Sequence, residues 1–257
     1  MGTFSVRKTT EQFIAEAVAL YGEKYDYSKV DYKTNKDKVC IICPEHGEFW
    51  QTPNGHLKGH GCKHCYYTSK RKFGVGVFDV LGACKENAPF YKVWSSIMLR
   101  ATNDKHKNTH NAYKDCSICD EWLTLSNFQK WFEDPENGYQ EGLHIDKDIL
   151  VKGNKEYAPD KCCFVPREIN NAISKQQKGK CAIVGVKPNG NKFEVRINRN
   201  GKREYLGLFN TQEEAFAVYK HHKEQHVKEL AEKYFQEGKI TKKVYDALMK
   251  YEVEITD

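Results

Sequence analysis

The sequence predicts an α+β protein built from several small modules, and three observations support this fold class. Two pairs of cysteines, each with two intervening residues, lie in the first quarter of the chain. Several stretches repeat apolar residues at the spacing of an amphipathic helix. A later segment alternates apolar and polar residues and contains Asn-Gly steps, which is typical of β-hairpins. A chain of 257 residues has room for two or three such modules.

Composition narrows the function classes without selecting one. The net charge of +6, from 41 basic and 35 acidic residues, permits nucleic-acid binding but does not require it. No apolar run approaches the roughly 18 residues of a membrane span, so we expect no membrane partner. The N-terminus lacks the apolar core of a signal peptide, which predicts a cytoplasmic protein. In a reducing compartment, clustered cysteines favour metal binding over disulfides.

The first predicted module covers residues 1–68. A capping box of Thr9 and Gln12 begins an amphipathic helix in "TTEQFIAEAVALYG", and a short β module follows. The paired cysteines have the spacing of a closed, structural Zn²⁺ site with four thiolate ligands: Cys40, Cys43, Cys62 and Cys65. Four nearby histidines could substitute as ligands, although we expect them at the surface: His46, His56, His60 and His64.

The second predicted module covers residues 69–178. Two amphipathic helices are expected in "FYKVWSSIMLRAT" and "CDEWLTLSNFQKWFED", the latter with Trp122, Phe128 and Trp131 on its core face. The stretch "HIDKDILVKGN" (144–154) then gathers carboxylate and amide side chains, as a phosphodiesterase metal centre requires. Cys116 and Cys119 form another spaced pair, which we interpret as buried thiols in preference to a second zinc site.

The third predicted module covers residues 179–238, with a helix and tail at 239–257. Three alternating runs predict a three-stranded antiparallel sheet, and Thr211 with Glu214 caps a long helix packed against it. Six basic residues stand against two acidic ones between 181 and 207. Arginine and asparagine suit base edges in the major groove. The candidate DNA-binding residues are Lys187, Lys192, Arg196, Asn198, Arg199, Lys202 and Arg203.

Two segments resemble known DNA-associated modules. The stretch "VCIICPEHGEFWQTPNGHLKGHGCKHC" resembles a zinc-ribbon-like module of bacterial and phage proteins, which often accompanies nuclease domains. The stretches "VGVKPNGNKFEVRI", "YLGLF" and "TQEEAFAVY" resemble, in that order, the ethylene-response-factor (APETALA) type DNA-binding domain. The resemblance implies that both flanking modules bind DNA.

The central stretch resembles the HNH branch of the His-metal finger nucleases, with a ββα-metal arrangement. By this resemblance Asp146 and Asn170 would hold one catalytic Mg²⁺ or Mn²⁺, and Asp148 would be a further ligand or assist Lys147. Asn154 falls in the loop between the strands and joins the candidate catalytic residues. Lys147 stands at the position where the family carries its histidine base.

The identity of the general base stays open between three candidates. Lys147 has a reference pKa of about 10.4, so it serves more readily as a phosphate clamp than as a base. In an extended strand His144 would share a face with Asp146, and an imidazole has a suitable intrinsic pKa. A water activated by the metal alone is the third candidate.

Taken together, the resemblances imply a phage homing endonuclease. Such an enzyme would hydrolyse double-stranded DNA as a monomer, without a small-molecule substrate, in the cytoplasm or nucleoid of an infected bacterium. One alternative is a DNA-binding regulator that retains a degenerate nuclease fold. Another is a zinc protein that binds structured RNA.

Overall fold

The computed structural model describes residues 8–84, 86–174, 183–199 and 201–255. These residues form an α+β structure with small sheets, as the sequence predicts. They divide into two compact units. The first unit comprises the chain up to residue 87 together with 124–126, and the second comprises 88–123 and the chain from 127 onward. In the described ranges no helix has both the length and the apolarity to cross a bilayer.

The first unit begins with the predicted capped helix. The Thr9 hydroxyl accepts a hydrogen bond from the Gln12 backbone amide, and the Gln12 side chain accepts one from the Thr9 amide, so the capping box is confirmed. The elements of this unit are α1 (Thr10–Tyr21), β1 (Val39–Cys43), β2 (Gly47–Gln51), α2 (Pro53–Leu57), α3 (Lys63–Ser69), β3 (Arg71–Lys72) and β4 (Gly76–Val77).

A hairpin and helix α1 enclose the core of the first unit. Strands β1 and β2 pair antiparallel, from Val39 opposite Gln51 to Cys43 opposite Gly47. The buried residues combine aromatic, aliphatic and thiol side chains: Phe13, Ala17, Tyr25, Tyr27, Val39, Ile41, Cys43 and Cys62. Two cysteines thus belong to the core itself, which couples any metal held by them to the packing of the unit.

The second unit contains the remaining elements. Its helices are α4 (Pro89–Thr102), α5 (Asp104–Thr109), α6 (Leu125–Glu133), α7 (Arg167–Ile173), α8 (Gln212–Gln236) and α9 (Lys242–Met249). The first two residues of α6 are counted with the first unit. Its strands are β5 (Ser117–Ile118), β6 (His144–Asp146), β7 (Glu156–Tyr157), β8 (Cys163–Val165), β9 (Val186–Asn189), β10 (Lys192–Arg199) and β11 (Lys202–Phe209).

Aromatic side chains fill the part of the second unit around α4. Trp94, Trp122 and Phe128 are inaccessible to solvent, and Trp131 is also buried. The Trp94 indole Nε1 donates to the Trp122 carbonyl over 2.7 Å, which satisfies a polar atom that would otherwise be costly to bury. The three predicted core residues Trp122, Phe128 and Trp131 are therefore buried, but the helix begins at Leu125, so Trp122 lies before it in a short 3-10 turn (Glu121–Leu123) and not on the predicted helix.

Helix α8 packs on two different neighbours along its length. Its first half covers the sheet β11-β10-β9, where Ala215 and Tyr219 contact Val186 and Val195. Its second half packs with β8, α7 and α9 in a separate core: Cys163, Val165, Ile169, Ala172, Val227, Leu230, Ala231, Ile240, Val244 and Leu248. The predicted C-terminal sheet and tail thus share one compact unit with most of the predicted central module, whose residues 69–87 and 124–126 belong to the first unit. The finer division at 178 and 238 stays a prediction.

Candidate functional site

Four side chains of the first unit converge as a metal-ligand cluster: Cys43, His46, Cys62 and Cys65. The His46 Nδ1 atom lies 3.5 Å from the Cys43 Sγ, 3.8 Å from the Cys62 Sγ and 3.3 Å from the Cys65 Sγ. The Cys43 and Cys65 sulfurs are 3.5 Å apart. Tetrahedral zinc with thiolate and imidazole ligands needs ligand atoms about 3.5–3.8 Å apart. The cluster could therefore hold one zinc ion.

Local structure brings these ligands together from two directions. Cys43 is the last residue of β1, and His46 lies in the turn that leads into β2. Cys62 caps the N-terminus of α3, and Cys65 lies in its first turn. Gly61 is required before them, because a Cβ at this position would lie 2.3 Å from the Tyr25 hydroxyl oxygen. That hydroxyl accepts a hydrogen bond from the Cys62 amide and so anchors the second ligand pair.

The predicted set of four cysteines is wrong at one position. Cys40 is outside the cluster, and its Sγ instead lies 3.6 Å from the Glu48 Oε2. The reason is the strand: side chains alternate between faces, so Cys40 and Cys43, three residues apart in β1, point to opposite sides. His46 is the fourth residue of the cluster. The Cys-x-x-His spacing of "CPEH", in the turn of a hairpin, was the signal for it.

The ligand environment favours ionisation of one thiol. Burial opposes the charged form of Cys43, but hydrogen bonds with His46, the Glu45 backbone and Cys65 outweigh it and lower the pKa of this thiol to about 7. Burial and the neighbouring thiols Cys43 and Cys62 raise the pKa of Cys65 to about 12. A bound cation would favour the thiolate form of each ligand, since coordination requires it.

The other histidines of this unit divide between core and surface. His56 is fully buried, so its expected surface position is wrong. Its Nε2 is 3.0 Å from the Tyr27 hydroxyl, and its Nδ1 is 3.3 Å from the His60 carbonyl. Burial lowers the pKa of His56, which favours the neutral ring. His60 is exposed, and the half-buried His64 ring stacks on His46 with centroids 5.2 Å apart.

In the second unit, the predicted central stretch forms a hairpin strand followed by a tight turn. Strand β6 pairs antiparallel with β8, with His144 opposite Val165 and Asp146 opposite Cys163. The Asp146 Oδ1 accepts hydrogen bonds from the amides of Asp148 and Ile149, at 2.7 and 2.9 Å. Burial raises the pKa of the Asp146 carboxyl, against the lowering effect of these two bonds. His144 is exposed.

Lys147 and Asn154 tie the following loop together. The buried Lys147 ammonium donates to the Asp148 Oδ2 over 2.9 Å and to the Asn154 carbonyl over 3.1 Å. The Asn154 side-chain amide donates to the carbonyls of Lys147 and Glu156, at 2.8 and 2.7 Å. These contacts give both side chains a structural task. Their predicted catalytic roles stay predictions.

Asn170 lies on helix α7, which follows β8 directly and packs against β6. It is half-buried, as is Asp146, whereas Asp148 is exposed. Within the described ranges no further His, Cys, Asp or Glu joins Asp146 and Asp148 in a ligand cluster. The predicted Mg²⁺ or Mn²⁺ site therefore lacks support. Of the other cysteines, Cys116 and Cys162 are buried and Cys119 is half-buried.

The sheet β9–β11 has one face toward α8 and one face toward solvent. Val195 and Ile197 point inward and are buried, so the alternate residues Arg196 and Asn198 of β10 point outward and are exposed. Opposite them on β11 lie Tyr205 and Arg203. The Tyr205 ring is 51% exposed, and the Arg196 guanidinium lies 5.5 Å from its centroid. Arg196 also forms an ion pair with Glu194.

Five of the seven predicted DNA-binding residues share this outer face: Lys187, Lys192, Arg196, Asn198 and Arg203. Arg199 differs, because it has the inward parity of Val195 and Ile197 and faces α8. Lys202 lies opposite Arg199 at the exposed end of the hairpin. Tyr205 was missed in the sequence, although its alternation with Arg203 would have placed both on one face.

Comparison with known proteins relates the first quarter of the chain to a family of unknown function. A protein family described only as of unknown function, DUF723, matches residues 6–66. An uncharacterized protein of Acanthamoeba polyphaga mimivirus, R892, is 41% identical over 64 residues, covering 23% of this chain and 24% of that protein. A second mimivirus protein, the uncharacterized L763, is 31% identical over 119 residues, covering 46% of this chain and 40% of that protein.

These matches overturn the resemblance to phage homing endonucleases. None of them indicates an HNH endonuclease or an ethylene-response-factor domain, and the relatives belong to a giant virus of amoebae, not to a phage. The predicted setting in a phage-infected bacterium rested on that resemblance and loses its basis. The aligned parts span less than half of each of these relatives. No solved structure matches the chain.

Proposed function

We propose that this protein binds double-stranded DNA through the outer face of the sheet β9–β11. The observation that carries the proposal is the combination of Arg196, Asn198, Arg203 and Tyr205 on one open face. Arginine and asparagine can each make two hydrogen bonds to one base edge in the major groove. A two- or three-stranded ribbon is narrow enough to enter that groove.

The charge balance supports the same proposal. Lys187 and Lys192 add cations to the outer face, while Glu194 is occupied by Arg196 and by the Asn189 side chain. An exposed tyrosine between arginines adds a planar apolar surface for sugar or base contacts. The zinc-type module of the first unit would then serve as a second, separately folded module whose attachment raises the effective concentration of the other on DNA.

Fluorescence anisotropy with a duplex library tests the proposal. Arg196→Ala and Arg203→Ala should each weaken binding by about 1–3 kcal/mol and relax the preferred sequence. Lys250→Ala, an exposed cation that follows helix α9 and does not belong to the outer face of the sheet, is the matched control and should change affinity little. Equal affinity of wild type and of a variant with both substitutions, Arg196→Ala and Arg203→Ala, for duplex DNA would contradict the proposal. Tighter binding of structured RNA than of duplex DNA at matched salt would favour the RNA-binding alternative.

Hydrolysis of the bound DNA with one divalent ion is the second candidate function. The specific observation in its favour is a half-buried carboxyl group, Asp146, whose pKa is raised by burial, on a strand that contacts the helix carrying Asn170. Carboxylate and amide oxygens are ligands that Mg²⁺ accepts. The base would be His144, Lys147 or a metal-bound water, as the sequence left open.

A cleavage assay with Mg²⁺ or Mn²⁺ on a duplex that the protein binds separates the two functions. Asp146→Asn retains an acceptor for the amides of Asp148 and Ile149 but removes the charge, so it should abolish cleavage without unfolding the loop. Asp120→Asn, in the same unit and exposed, is the control. An intact duplex after incubation with wild type would leave a non-catalytic DNA-binding regulator.

A further inference from the structure

Three side chains that can carry a positive charge lie together between the sheet and helix α8: Arg199, Lys223 and His226, here called the cationic trio. Lys223 and His226 are each only 4% exposed. They lie on the same face of α8 as Ala215 and Tyr219, one and two turns further along the helix. Arg199 is the last residue of β10 and faces α8. The trio thus occupies the junction between the sheet core and the core formed with α7 and α9.

The described residues compensate this charge only in part. Lys223 has no hydrogen bond or ion pair with any residue in the ranges that the structure describes. The Nε and Nη2 atoms of Arg199 are inaccessible to solvent and have no hydrogen-bond partner there. The Glu229 Oε2 lies 3.6 Å from the Arg199 Nη2, which is an ion pair beyond hydrogen-bond length.

The neighbouring acidic group on α7 is already engaged. Glu168 accepts from the Tyr234 hydroxyl over 2.5 Å and from the Lys233 ammonium over 3.2 Å. Burial lowers the pKa of Lys223. Burial, together with Arg199 and Lys223, lowers the pKa of His226, against Glu229 and Glu168. A positive charge on these side chains is therefore costly to the fold unless an anion binds among them.

We propose that the cationic trio is a binding site for a phosphate group. Two adjacent donors of the Arg199 guanidinium match the spacing of phosphate oxygens, and Lys223 and His226 add charge-assisted donors. Two sources have this chemistry: a free phosphate ion and a backbone phosphate of a nucleic acid. The first is independent of DNA binding, whereas the second rests on the proposed function.

Thermal unfolding with inorganic phosphate as the probe tests the site without DNA. Phosphate should raise the melting temperature of wild type more than chloride does at matched ionic strength. Lys223→Met removes an uncompensated charge, so we expect it to raise the melting temperature in phosphate-free buffer. It should also weaken the apparent affinity for phosphate about tenfold or more. Lys228→Met, a half-buried lysine of the same helix, is the control and should retain the phosphate effect.

A direct readout at the trio guards against an unspecific effect on stability. In NMR spectra the His226 imidazole should shift on addition of phosphate, and its pKa should rise because a bound anion favours the charged ring. The site is refuted if wild type and Lys223→Met respond equally to phosphate, or if His226 does not respond.

Duplex DNA distinguishes the two sources of phosphate. If a backbone phosphate binds at the trio, Lys223→Met removes one phosphate contact. The plot of log affinity against log salt concentration should then be less steep by about 1. If DNA binds with an unchanged slope but phosphate still stabilises wild type, the site takes a free phosphate. Absence of any DNA binding would overturn the proposed function and leave the free-phosphate result as the sole test of the trio.

Discussion

The two compact units differ in the side chains that build their cores. In the first unit, Cys43 and Cys62 are at once core residues and candidate metal ligands, so packing and metal binding are the same set of contacts. In the second unit, the cores around α8 consist of aliphatic and aromatic side chains with one thiol, Cys163, and no metal-ligand cluster occurs among the described residues of this unit. A small module with few apolar residues needs a staple, whereas a larger core does not.

Metal removal should give the largest difference between the units. A structural zinc ion contributes about 10–16 kcal/mol of apparent binding free energy, which is also folding free energy. A strong chelator should therefore abolish the hydrogen-exchange protection of α1, β1 and β2 while the amides of α8 keep theirs. Elemental analysis should find one zinc per chain before chelation. Equal loss of protection in both units would contradict this contrast.

Single substitutions should identify the four ligands. His46→Ala should lower zinc affinity by several orders of magnitude, because it opens the tetrahedral site to water. Cys40→Ala should leave the affinity unchanged, since its sulfur is outside the cluster. Competition with a coloured chelator measures both. A large loss of zinc affinity in Cys40→Ala and none in His46→Ala would instead support the four-cysteine site.

A cavity in the second unit should destabilise that unit alone. Leu230 is buried in the core with α7 and α9, so Leu230→Ala should cost about 2–5 kcal/mol of unfolding free energy in urea. Leu208→Ala, at an exposed position of β11, should change it by less than about 0.5 kcal/mol. The zinc content of both variants should equal that of wild type. A loss of zinc in Leu230→Ala would show that the units are not independent in stability.

The smallest expected effect is a pH dependence in the second unit. The pKa of His226 is lowered from 6.5, so the unfolded chain takes up its proton first. Stability is then complete above about pH 6.5 and falls as the pH drops below it, by at most about 1.4 kcal/mol per pH unit for this group. His226→Gln should flatten this decline in phosphate-free buffer, whereas His221→Gln, exposed on the same helix, should not. If the unfolding free energy of wild type and of His226→Gln fell equally with pH, His226 would not be the source of this pH dependence.

Patterns that depend on neighbouring residues were predicted well from the sequence. The capping side chains Thr9 and Thr211 accept hydrogen bonds from Gln12 and Glu214, as their spacing indicates. The three-stranded sheet with one covering helix is also observed. In these cases the hydrogen bond or the hairpin joins residues close in the chain, so the local sequence contains the whole interaction.

Predictions that depend on where a side chain points in the folded structure were less successful. The spacing of Cys40 and Cys43 suggested a shared metal, but spacing alone does not report that a strand turns the two sulfurs apart. Arg199 was grouped with Arg196 because both are basic residues of the same predicted sheet. The two are an odd number of positions apart on β10, so their side chains point to opposite faces. The resemblance to nucleases rested on short sequence patterns, and short patterns do not determine how the side chains are arranged in space.

The order of the metal ligands along the chain has a consequence for how the first unit forms. Cys43 and His46 are three residues apart in one turn, so they can capture an ion before any long loop closes. Cys62 and Cys65 must then be brought to the same ion, and this step pays the entropy of loop closure once for both sulfurs. A metal ion held by these four residues would therefore act as a folding template. During synthesis, the hairpin that carries the first two ligands emerges before the helix that completes the site, so the supply of metal can set the rate at which this unit matures.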